Sequence, residues 1–358
     1  MTRPAFTVLI DTFNHERFLH DAIVSVLEQD LPAADAEILV VDDGSTDRTP
    51  AIARAFAPRV RYLRKENGGQ ASAFNFGIPE AQGEIVAFLD GDDFWKKNKL
   101  TAVRDAFAAN PQAGAVGHGI VQTDTERGES SELMPVHAGT FDLRTPQGAK
   151  TFRNYMCFMG TSRVAIRRTV LERVLPIPEG LVVEADEFMS GLAVAYGGAV
   201  LLPEALTYYR IHADNLYQFR ANDASRIRKK MNVIACLARE WPTRLAAAGV
   251  GPEEIEIIVA PTRSMATRMR LMLDGGWPWE TYLAERAELQ LAYRRMGLGY
   301  RLYKEAVLTA ALLMPPRWFY RLRDWYSANG MRRFRGVVGE PERTAAIIER
   351  PVEVSPKR

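Results

Sequence analysis

Three carboxylates follow directly on a short apolar run near position 90. The run is Ile85 to Leu89, and Asp90, Asp92 and Asp93 come immediately after it. Like charges at this spacing repel one another, and a divalent cation placed among them offsets the repulsion. Mg²⁺ and Mn²⁺ prefer oxygen ligands and often reach a protein together with substrate phosphates. The segment therefore predicts a metal-diphosphate site, with an acidic turn that caps the next helix as the alternative.

A second acidic cluster, Glu184-Ala-Asp-Glu187, comes just before a helical pattern that runs from Phe188 to Tyr196. A carboxylate in such a position can take a proton from an attacking hydroxyl group. Glu184, Asp186 and Glu187 are all candidates for that general base. The alternative is that the three acids only complement the positive end of the helix dipole.

The elements that must position these acids form a repeating pattern at the start of the chain. Apolar strand-like segments alternate with helical patterns, and the strand-like segments are Phe6–Ile10, Glu37–Val41, Val60–Leu63 and Ile85–Leu89. The alternation predicts an α/β fold with a doubly wound, mostly parallel sheet. Ligands of such sheets bind beyond the carboxyl ends of the strands. We therefore expect the polar residues after each segment to converge on one rim.

Local signals predict where some of these elements begin. Asn14 is expected to cap the first helix, and Thr49 the second, with Pro50 at its first helical position. Asp47 fits a turn and helix-cap role. The stretch from Met159 to Ile166 is expected to be a strand that leads into a helix.

The composition is that of an ordinary globular protein, with 47% hydrophobic and 25% charged residues. A net charge of +2 argues against bulk nucleic-acid binding. Cys157 and Cys236 follow no metal or redox spacing, which is typical of a reduced pair in a cytosolic protein. No apolar run approaches the roughly 20 residues of a membrane span, and no apolar signal segment opens the chain. We therefore expect a cytoplasmic protein.

Four segments occur in an order that identifies a family. They are Thr7–Asn14, Val40–Asp47, Asn67–Gly77 and Phe88–Trp95. Together they resemble the successive motifs of the family 2 glycosyltransferases of bacterial glycan biosynthesis, inverting enzymes with the GT-A fold. A later stretch, Leu206–Asn215, resembles the family's Tyr-Arg-x-His-x-x-Asn segment. One departure is Asp11, where the family usually has proline.

The resemblance implies metal-dependent transfer of a sugar from a nucleotide-diphospho-sugar, with a UDP-sugar favoured, to a hydroxyl of a glycan or lipid-linked glycan. Asp92 and Asp90 would hold Mg²⁺ or Mn²⁺, and His212 would be a further metal or diphosphate ligand or else a structural residue. Asp186 would be the general base, with its two acidic neighbours left open. Arg210 would meet a phosphate. The resemblance assigns donor binding to Thr12, Phe13, Asn14, Asp43, Asn67, Gln70, Asp90, Gly91 and Arg210.

Within the donor set, the resemblance gives different residues different parts of the nucleotide. Thr12 and Phe13 would lie near the base and ribose. Asp43 would hydrogen-bond the base, since a carboxylate accepts from a ring N–H. Asn67 and Gln70 would line the nucleotide pocket.

The resemblance and the helical pattern that follows it divide the chain. A catalytic domain is expected over residues 1–217, with a nucleotide-sugar-binding half at 1–105 and an acceptor and base half at 106–217. A helical C-terminal region is expected at 218–338, followed by a disordered tail at 339–358.

Two stretches could contact a partner. Residues 123–139 are polar and turn-rich, so we expect a hairpin or mobile loop that is either a lid over the rim or a surface insertion. Between positions 294 and 335 there are ten Lys or Arg but two acids, with aromatic residues interleaved. This composition is typical of a peripheral helix on an anionic surface such as the inner face of the cytoplasmic membrane, and a solvated basic face is the alternative.

Two other functions fit part of the pattern. An Asp-Gly-Asp after a strand is also found in phosphotransferases and phosphatases, in which Asp90 would be the nucleophile. That interpretation leaves Asp43 and Asn67 unexplained. A non-catalytic, transferase-like scaffold predicts the loss of Asp92 or Asp186, and both are present.

Overall fold

The computed structural model describes residues 3–124, 128–212, 224–292, 297–316, 318–322 and 347–352. The strands in this part of the chain are Phe6–Thr12 (β1), Ala36–Asp42 (β2), Val60–Arg64 (β3), Ile85–Asp90 (β4), Phe94–Trp95 (β5), Ala115–Asp124 (β6), Glu129–Pro135 (β7), Gly139–Phe141 (β8), Ala165–Arg167 (β9), Ala199–Ile211 (β10) and Ile347–Pro351 (β11). The helices there are Leu19–Leu27 (α1), Thr49–Ala55 (α2), Gln70–Gly77 (α3), Lys99–Ala109 (α4), Pro146–Tyr155 (α5), Arg168–Val174 (α6), Ala185–Gly197 (α7), Ala224–Ala247 (α8), Pro252–Asp274 (α9), Trp279–Ala292 (α10) and Leu298–Ala310 (α11).

The first four strands form the parallel part of one sheet, in the order β4-β1-β2-β3. Their apolar residues are almost all buried, because helices cover both faces of the sheet. The register places Asp11 beside Asp90 on β4 and Thr12 beside Asp42 on β2. The polar residues that follow these strands therefore meet at one rim, as the sequence predicts.

Beyond β4 the sheet becomes mixed. β9 pairs antiparallel with β4 and β6, and β7 pairs antiparallel with β6. The β6–β7 pair corresponds to the hairpin predicted at 123–139. The long strand β10 runs parallel to β6 and antiparallel to β5 and β8. Because β5 follows Asp93 directly, this pairing brings the end of β10 to the acidic loop.

Helices pack on both faces of the sheet. On one face α1 and α4 bury Leu19 and Val103. On the other face α3 and α7 bury Phe74 and Phe188, and the same apolar core includes Trp241 of α8. The predicted α/β fold with a helical C-terminal extension is therefore confirmed.

The helix starts differ from the expected ones. α1 begins at Leu19, and Asn14 does not cap it, because its Oδ1 accepts a hydrogen bond from the amide of Thr46 across the rim. Asn14 itself has a left-handed φ of +57°. The amide of Thr49 donates to Oδ1 of Asp47 at 2.9 Å, so Asp47 supplies the cap expected of Thr49.

Two later segments also differ. The strand expected at Met159–Ile166 is split into a 3₁₀ turn at Thr161–Arg163 and the short β9. The tail expected to be disordered contains β11, which pairs with the otherwise open edge of β7 and packs Ile348 beside Met134. The disorder prediction is therefore wrong for Ile347–Pro351. The proposed boundary at residue 217 and the rest of that tail, apart from Val352, lie outside the described residues.

Candidate active site

Backbone hydrogen bonds draw the strand ends at the rim together. The amide of Asp43 donates to the carbonyl of Thr12, and the amide of Gly91 donates to the carbonyl of Asp11, both at 2.9 Å. A Cβ at Gly91 would lie 2.6 Å from Oγ1 of Thr12 and 2.7 Å from Nδ1 of His15. Glycine is therefore required where the acidic loop crosses the end of β1.

The three aspartates after β4 form a cluster. One carboxylate oxygen from each of Asp90, Asp92 and Asp93 lies within 4.8 Å of the others. Burial, together with the charges of Asp11 and Asp92, raises the pKa of Asp90 well above its ordinary value. Burial and the charge of Asp92 raise the pKa of Asp93 to about 7. The cluster therefore retains protons that a cation would displace.

Two histidines flank Asp92. Nε2 of His212 lies 3.1 Å from Oδ2 of Asp92, and Nε2 of His15 lies 3.9 Å from the same oxygen. Burial alone would raise the pKa of Asp92, but these two imidazoles hold it below its ordinary value. His212 is buried and its ring lies 4.5 Å from that of Phe18. His212 therefore sits at the cluster, where the sequence places it, and His15 joins it.

Asp11 follows the first strand-like segment, so the sequence places it at the rim, but the sequence gives it no role in the site. Its Oδ1 is buried and has no hydrogen-bond partner among the described residues. Burial, followed by the charges of Asp92, Asp186 and Asp43, raises its pKa well above the ordinary value. Several carboxylates thus surround one unpartnered oxygen.

This donor set fits a hard divalent cation. Carboxylate oxygens and an imidazole are ligands that Mg²⁺ and Mn²⁺ accept in proteins. The unpartnered oxygen of Asp11 and the proton-holding carboxyls of Asp90 and Asp93 are the features expected when such a charge is left out of the balance. The residues present therefore suit the predicted metal.

The carboxylate of Asp43 holds the loop that follows β3. It accepts hydrogen bonds from Nζ of Lys65 at 2.8 Å, from Nδ2 of Asn67 at 3.1 Å, and from the amides of Gly68 and Gly69. Gly69 has a φ of +85°, and a Cβ there would lie 2.7 Å from Val182. The structure thus brings Asp43 and Asn67 together as predicted. They hydrogen-bond to each other, and Asp43 also accepts from the backbone of the loop.

Phe13 and Asn14 directly follow β1 at the rim. The ring of Phe13 is 42% exposed at the rim. The amide of Asn14 donates to Oγ of Ser45 at 2.9 Å, so Asn14 ties the turn after β2 to the end of β1. An exposed ring at a rim offers a stacking surface for a planar base.

Arg210 lies behind the acidic loop. Its backbone amide donates to Oδ1 of Asp93 at 2.9 Å, and its guanidinium donates to the carbonyl of Asp92 and to Asp21. The guanidinium carbon also lies 4.4 Å from the centre of the Phe94 ring. These contacts fix the loop that carries the cluster, and the phosphate contact expected of Arg210 stays a prediction.

Asp186 lies in the first turn of α7 and points to the 3₁₀ turn. Its Oδ2 accepts from the amide of Thr161 at 2.9 Å and from Oγ1 of Thr161 at 3.1 Å. Gln70 bridges the same region, since it donates to Oγ1 of Thr161 and accepts from the amide of Ala185. The structure thus places Gln70 against Asp186, whereas the sequence assigns it to the nucleotide pocket.

The two acidic neighbours of Asp186 have a different environment. Glu184 is the residue before α7, with a left-handed φ of +60°, and its Oε1 lies 3.6 Å from Nζ of Lys230. Burial and the charges of Glu184 and Asp186 raise the pKa of Glu187 well above its ordinary value. Both glutamates line a cavity with Lys230.

The 3₁₀ turn connects Asp186 to the acidic cluster, and sequence reasoning missed it. Oγ of Ser162 donates to Oδ2 of Asp90 at 3.2 Å, and its carbonyl accepts from Nζ of Lys99 at 2.8 Å and Nε1 of Trp95 at 3.2 Å. Its neighbour Thr161 holds Asp186. The only sequence signal is the small polar pair after Gly160.

Comparison with known proteins assigns the chain to a family. The sequence profile of glycosyl transferase family 2 matches residues 7–175. The uncharacterized glycosyltransferase alr2836 of Nostoc sp. is 35% identical over 234 residues, which cover 61% of this chain and 68% of the relative.

Two solved structures share the fold. The structure of Staphylococcus aureus TarS 1-349 in complex with UDP-GlcNAc has a TM-score of 0.53 and 18% identity, over 86% of this chain and 90% of that one. The mannosyltransferase PcManGT from Pyrobaculum calidifontis in complex with GDP-Man and Mn²⁺ has a TM-score of 0.50 and 21% identity, over 94% of this chain and 89% of that one. These likenesses confirm the predicted GT-A fold class.

Proposed function

This chain belongs to glycosyl transferase family 2, and from that membership we propose that it transfers a sugar, with inversion, from a nucleotide-diphospho-sugar to a hydroxyl of a glycan or lipid-linked glycan. Because this family accounts for the Asp-Gly-Asp motif after β4, the motif no longer favours a phosphotransferase with Asp90 as nucleophile. The observation that carries the proposal is geometric. Two adjacent residues of the 3₁₀ turn join the two acidic groups, because Thr161 donates hydrogen bonds to Asp186 and Ser162 donates one to Asp90.

We assign the nucleotide to the rim between Phe13 and the loop after β3. A cavity of about 500 Å³ opens at that loop, lined by Gly44, Lys65 and Asn67 among others. Asp43 shapes that loop from below, and the exposed ring of Phe13 offers a face for the base. The two solved relatives were captured with UDP-GlcNAc and GDP-Man, which supports a donor of this chemical class.

We assign Mg²⁺ or Mn²⁺ to the acidic cluster, with Asp92 and Asp90 as the principal ligands and His212 beside them. The oxygen-rich donor set and the unpartnered Oδ1 of Asp11 support this assignment. PcManGT was captured with Mn²⁺. A cation held here supplies positive charge that offsets the charge developing on the departing diphosphate.

The reaction follows from the placement of Asp186. Its carboxylate takes the proton of the acceptor hydroxyl while that oxygen bonds to the anomeric carbon. The bond between the anomeric carbon and the diphosphate oxygen breaks on the opposite face, and the electron pair leaves with the nucleoside diphosphate. Attack from the opposite face inverts the configuration. The hydrogen bonds from Thr161 hold the carboxylate in place during the attack.

The donor assignment predicts metal-dependent binding of one nucleotide class. Calorimetric titration of the full chain with UDP, GDP and dTDP should show that one of them binds in the presence of Mn²⁺ at least about tenfold more tightly than with EDTA, a difference of about 1.4 kcal/mol. The corresponding nucleotide-sugar should be hydrolysed slowly without an acceptor. Failure of all three nucleotides to bind with Mn²⁺ or Mg²⁺ would overturn the proposal.

We also propose that α11 and the residues just after it lie on an anionic membrane surface. Leu298 and Leu302 on α11 are exposed, and so are Leu313 and Trp318 just after it. Arg301 on the same helix is exposed as well. Within the described residues no helix has the length and apolar content needed to cross a bilayer. An apolar face bordered by basic side chains suits adsorption to anionic lipid, at about 1 kcal/mol for each basic residue near the surface. Many of the basic residues counted between 294 and 335 lie outside the described residues.

The membrane proposal predicts lipid-selective binding. The full chain should co-sediment with phosphatidylglycerol vesicles and not with phosphatidylcholine vesicles, and added salt should weaken the binding. Changing Leu313 and Trp318 together to serine should reduce binding several-fold, because their apolar area no longer enters the interface. The matched control is Trp277→Ser, an equally exposed tryptophan before α10. Equal binding to both kinds of vesicle, or none to either, would contradict the proposal.

A further inference from the structure

A cavity of about 390 Å³ lies between the catalytic core and the C-terminal helices. Its walls come from α5, the first turn of α7, α8 and α9. A space of this size is within the range of sites for small ligands. Neither the donor nor the metal uses it, although it begins at the residues on either side of Asp186.

The polar wall of the cavity holds a buried acid that lacks a full set of partners. Glu184 is 6% exposed, and its Oε2 has no hydrogen-bond partner among the described residues. Its other oxygen lies 3.6 Å from Nζ of Lys230. A buried carboxylate oxygen left unpaired is costly, so a ligand that donates a hydrogen bond there would be favoured. Glu187 offers a second carboxyl group on the same side of the helix.

The remaining walls are mostly apolar, with Asn154 and Thr262 as further polar groups, and the positive charges are balanced. Phe152 and Met156 line one side of the cavity, and Met265 of α9 lines another. Lys230 is paired with Glu184, and Arg153 lies 3.5 Å from Glu288. A phosphate would find no uncompensated cation among these lining residues. A neutral ligand with several hydroxyls and an apolar face matches the walls better.

The cavity is adjacent to the proposed base. Glu184 lies two residues before Asp186 and Glu187 one residue after it, at the start of α7. The side chain of Asp186 turns toward Thr161 and the metal cluster, whereas the two glutamates turn toward Lys230. One turn of α7 therefore faces the reacting centre with one acid and the cavity with two.

We propose that this cavity, called the acceptor cavity below, binds a sugar unit of the acceptor glycan. Glu184, Glu187 and Lys230 hydrogen-bond its hydroxyls, and Phe152 and Met156 cover its apolar face. The inference rests on the proposed function, because it treats Asp186 as the base that the bound acceptor approaches. It gives Glu184 and Glu187 a binding role in place of the catalytic one that the sequence leaves open.

The test measures sugar binding and nucleotide binding separately. The probes are the octyl glycosides of glucose, galactose, mannose and N-acetylglucosamine. Their binding to the full chain is measured by saturation-transfer NMR. Met265→Trp fills the cavity and Lys230→Met removes its cation. The control is Met269→Trp, which places the same ring one turn further along α9, at a half-buried methionine outside the lining. UDP and GDP with Mn²⁺ are titrated into every variant.

We expect at least one glycoside to bind the wild type. Its affinity should be at least about tenfold lower for Met265→Trp and for Lys230→Met. Its affinity for Met269→Trp should equal that of the wild type. Nucleotide binding should be the same throughout. If Met265→Trp does not fold, Lys230→Met alone decides. Absence of glycoside binding to the wild type, or equal binding to the cavity variants, overturns the acceptor cavity. If nucleotide still binds, the proposed function stands. If no nucleotide binds the wild type, the proposed function is overturned instead.

Discussion

Replacing Asp186 with asparagine should lower the rate of sugar transfer by about 10²–10⁴-fold, because an amide cannot take the proton of the attacking hydroxyl. Asparagine has nearly the same shape, and its carbonyl oxygen can accept the hydrogen bonds that Thr161 now donates to Oδ2. We therefore expect the variant to fold and to bind nucleotide and Mn²⁺ like the wild type. The measurement is release of the nucleoside diphosphate from its sugar, beside titration of the same nucleotide.

The two neighbouring acids provide matched comparisons for this prediction. Glu184→Gln and Glu187→Gln make the same chemical change on the same turn of α7, but both side chains line the acceptor cavity. Donor hydrolysis uses water as the acceptor and does not need that cavity, so both variants should retain it within about tenfold. Near-normal hydrolysis by Asp186→Asn, together with its loss in one of the glutamate variants, would move the base to that glutamate.

The sequence predicts the convergence of the acids because the convergence follows from strand topology. Parallel strands that alternate with helices bring their carboxyl ends to one rim, so the positions of Asp43 and Asp92 follow from where the apolar runs stop. The same argument covers Asp11, but only the structure shows that its Oδ1 is buried and without a partner in the described part of the chain. A strand pattern predicts that a residue lies at the rim of the sheet. It does not predict whether the side-chain oxygens are buried or hydrogen-bonded.

The rest of the site depends on contacts between residues far apart in sequence. Ser162 reaches Asp90 across 72 positions, and Thr161 reaches Asp186 across 25. No periodicity signals a 3₁₀ turn that carries both contacts, and the apolar residues around it favour a strand instead. The family resemblance assigns Gln70 to the nucleotide pocket. Its side chain turns to Ala185, since α3 begins between that loop and α7.

Replacing Asp92 with asparagine should abolish the Mn²⁺ dependence of nucleotide binding. Asp92 differs from its neighbours because His15 and His212 hold its pKa low, so it is the member of the cluster that stays charged without a cation. Asp90 and Asp93 have raised pKa values and retain protons there. Loss of a direct ligand should exceed the roughly 10–100-fold effects seen when only a supporting contact to a metal ligand is removed. Titration of UDP or GDP with and without Mn²⁺ measures the effect.

Asp47→Asn is the control for this change. Asp47 lies in the turn after β2, where its carboxylate accepts from the amides of Thr49 and Glu16, and it has no part in the cluster. Asparagine caps helices about as well as aspartate, so this change should cost little stability and leave Mn²⁺ dependence intact. Equal loss of Mn²⁺ dependence in both variants would mean that the rim had rearranged and that Asp92 is not a specific ligand.

The raised pKa values give the metal assignment a second, independent readout. Burial and the charge of Asp92 raise the pKa of Asp93 to about 7, so Mn²⁺ must displace a proton from Asp93 below that pH. The affinity for Mn²⁺ should therefore rise as the pH increases through this range. Titrations near pH 6 in buffers of different ionisation enthalpy should show proton release when the metal binds. In Asp92→Asn no metal enters and no protons should be released, so normal affinity with the same proton release would rule out Asp92 as a ligand.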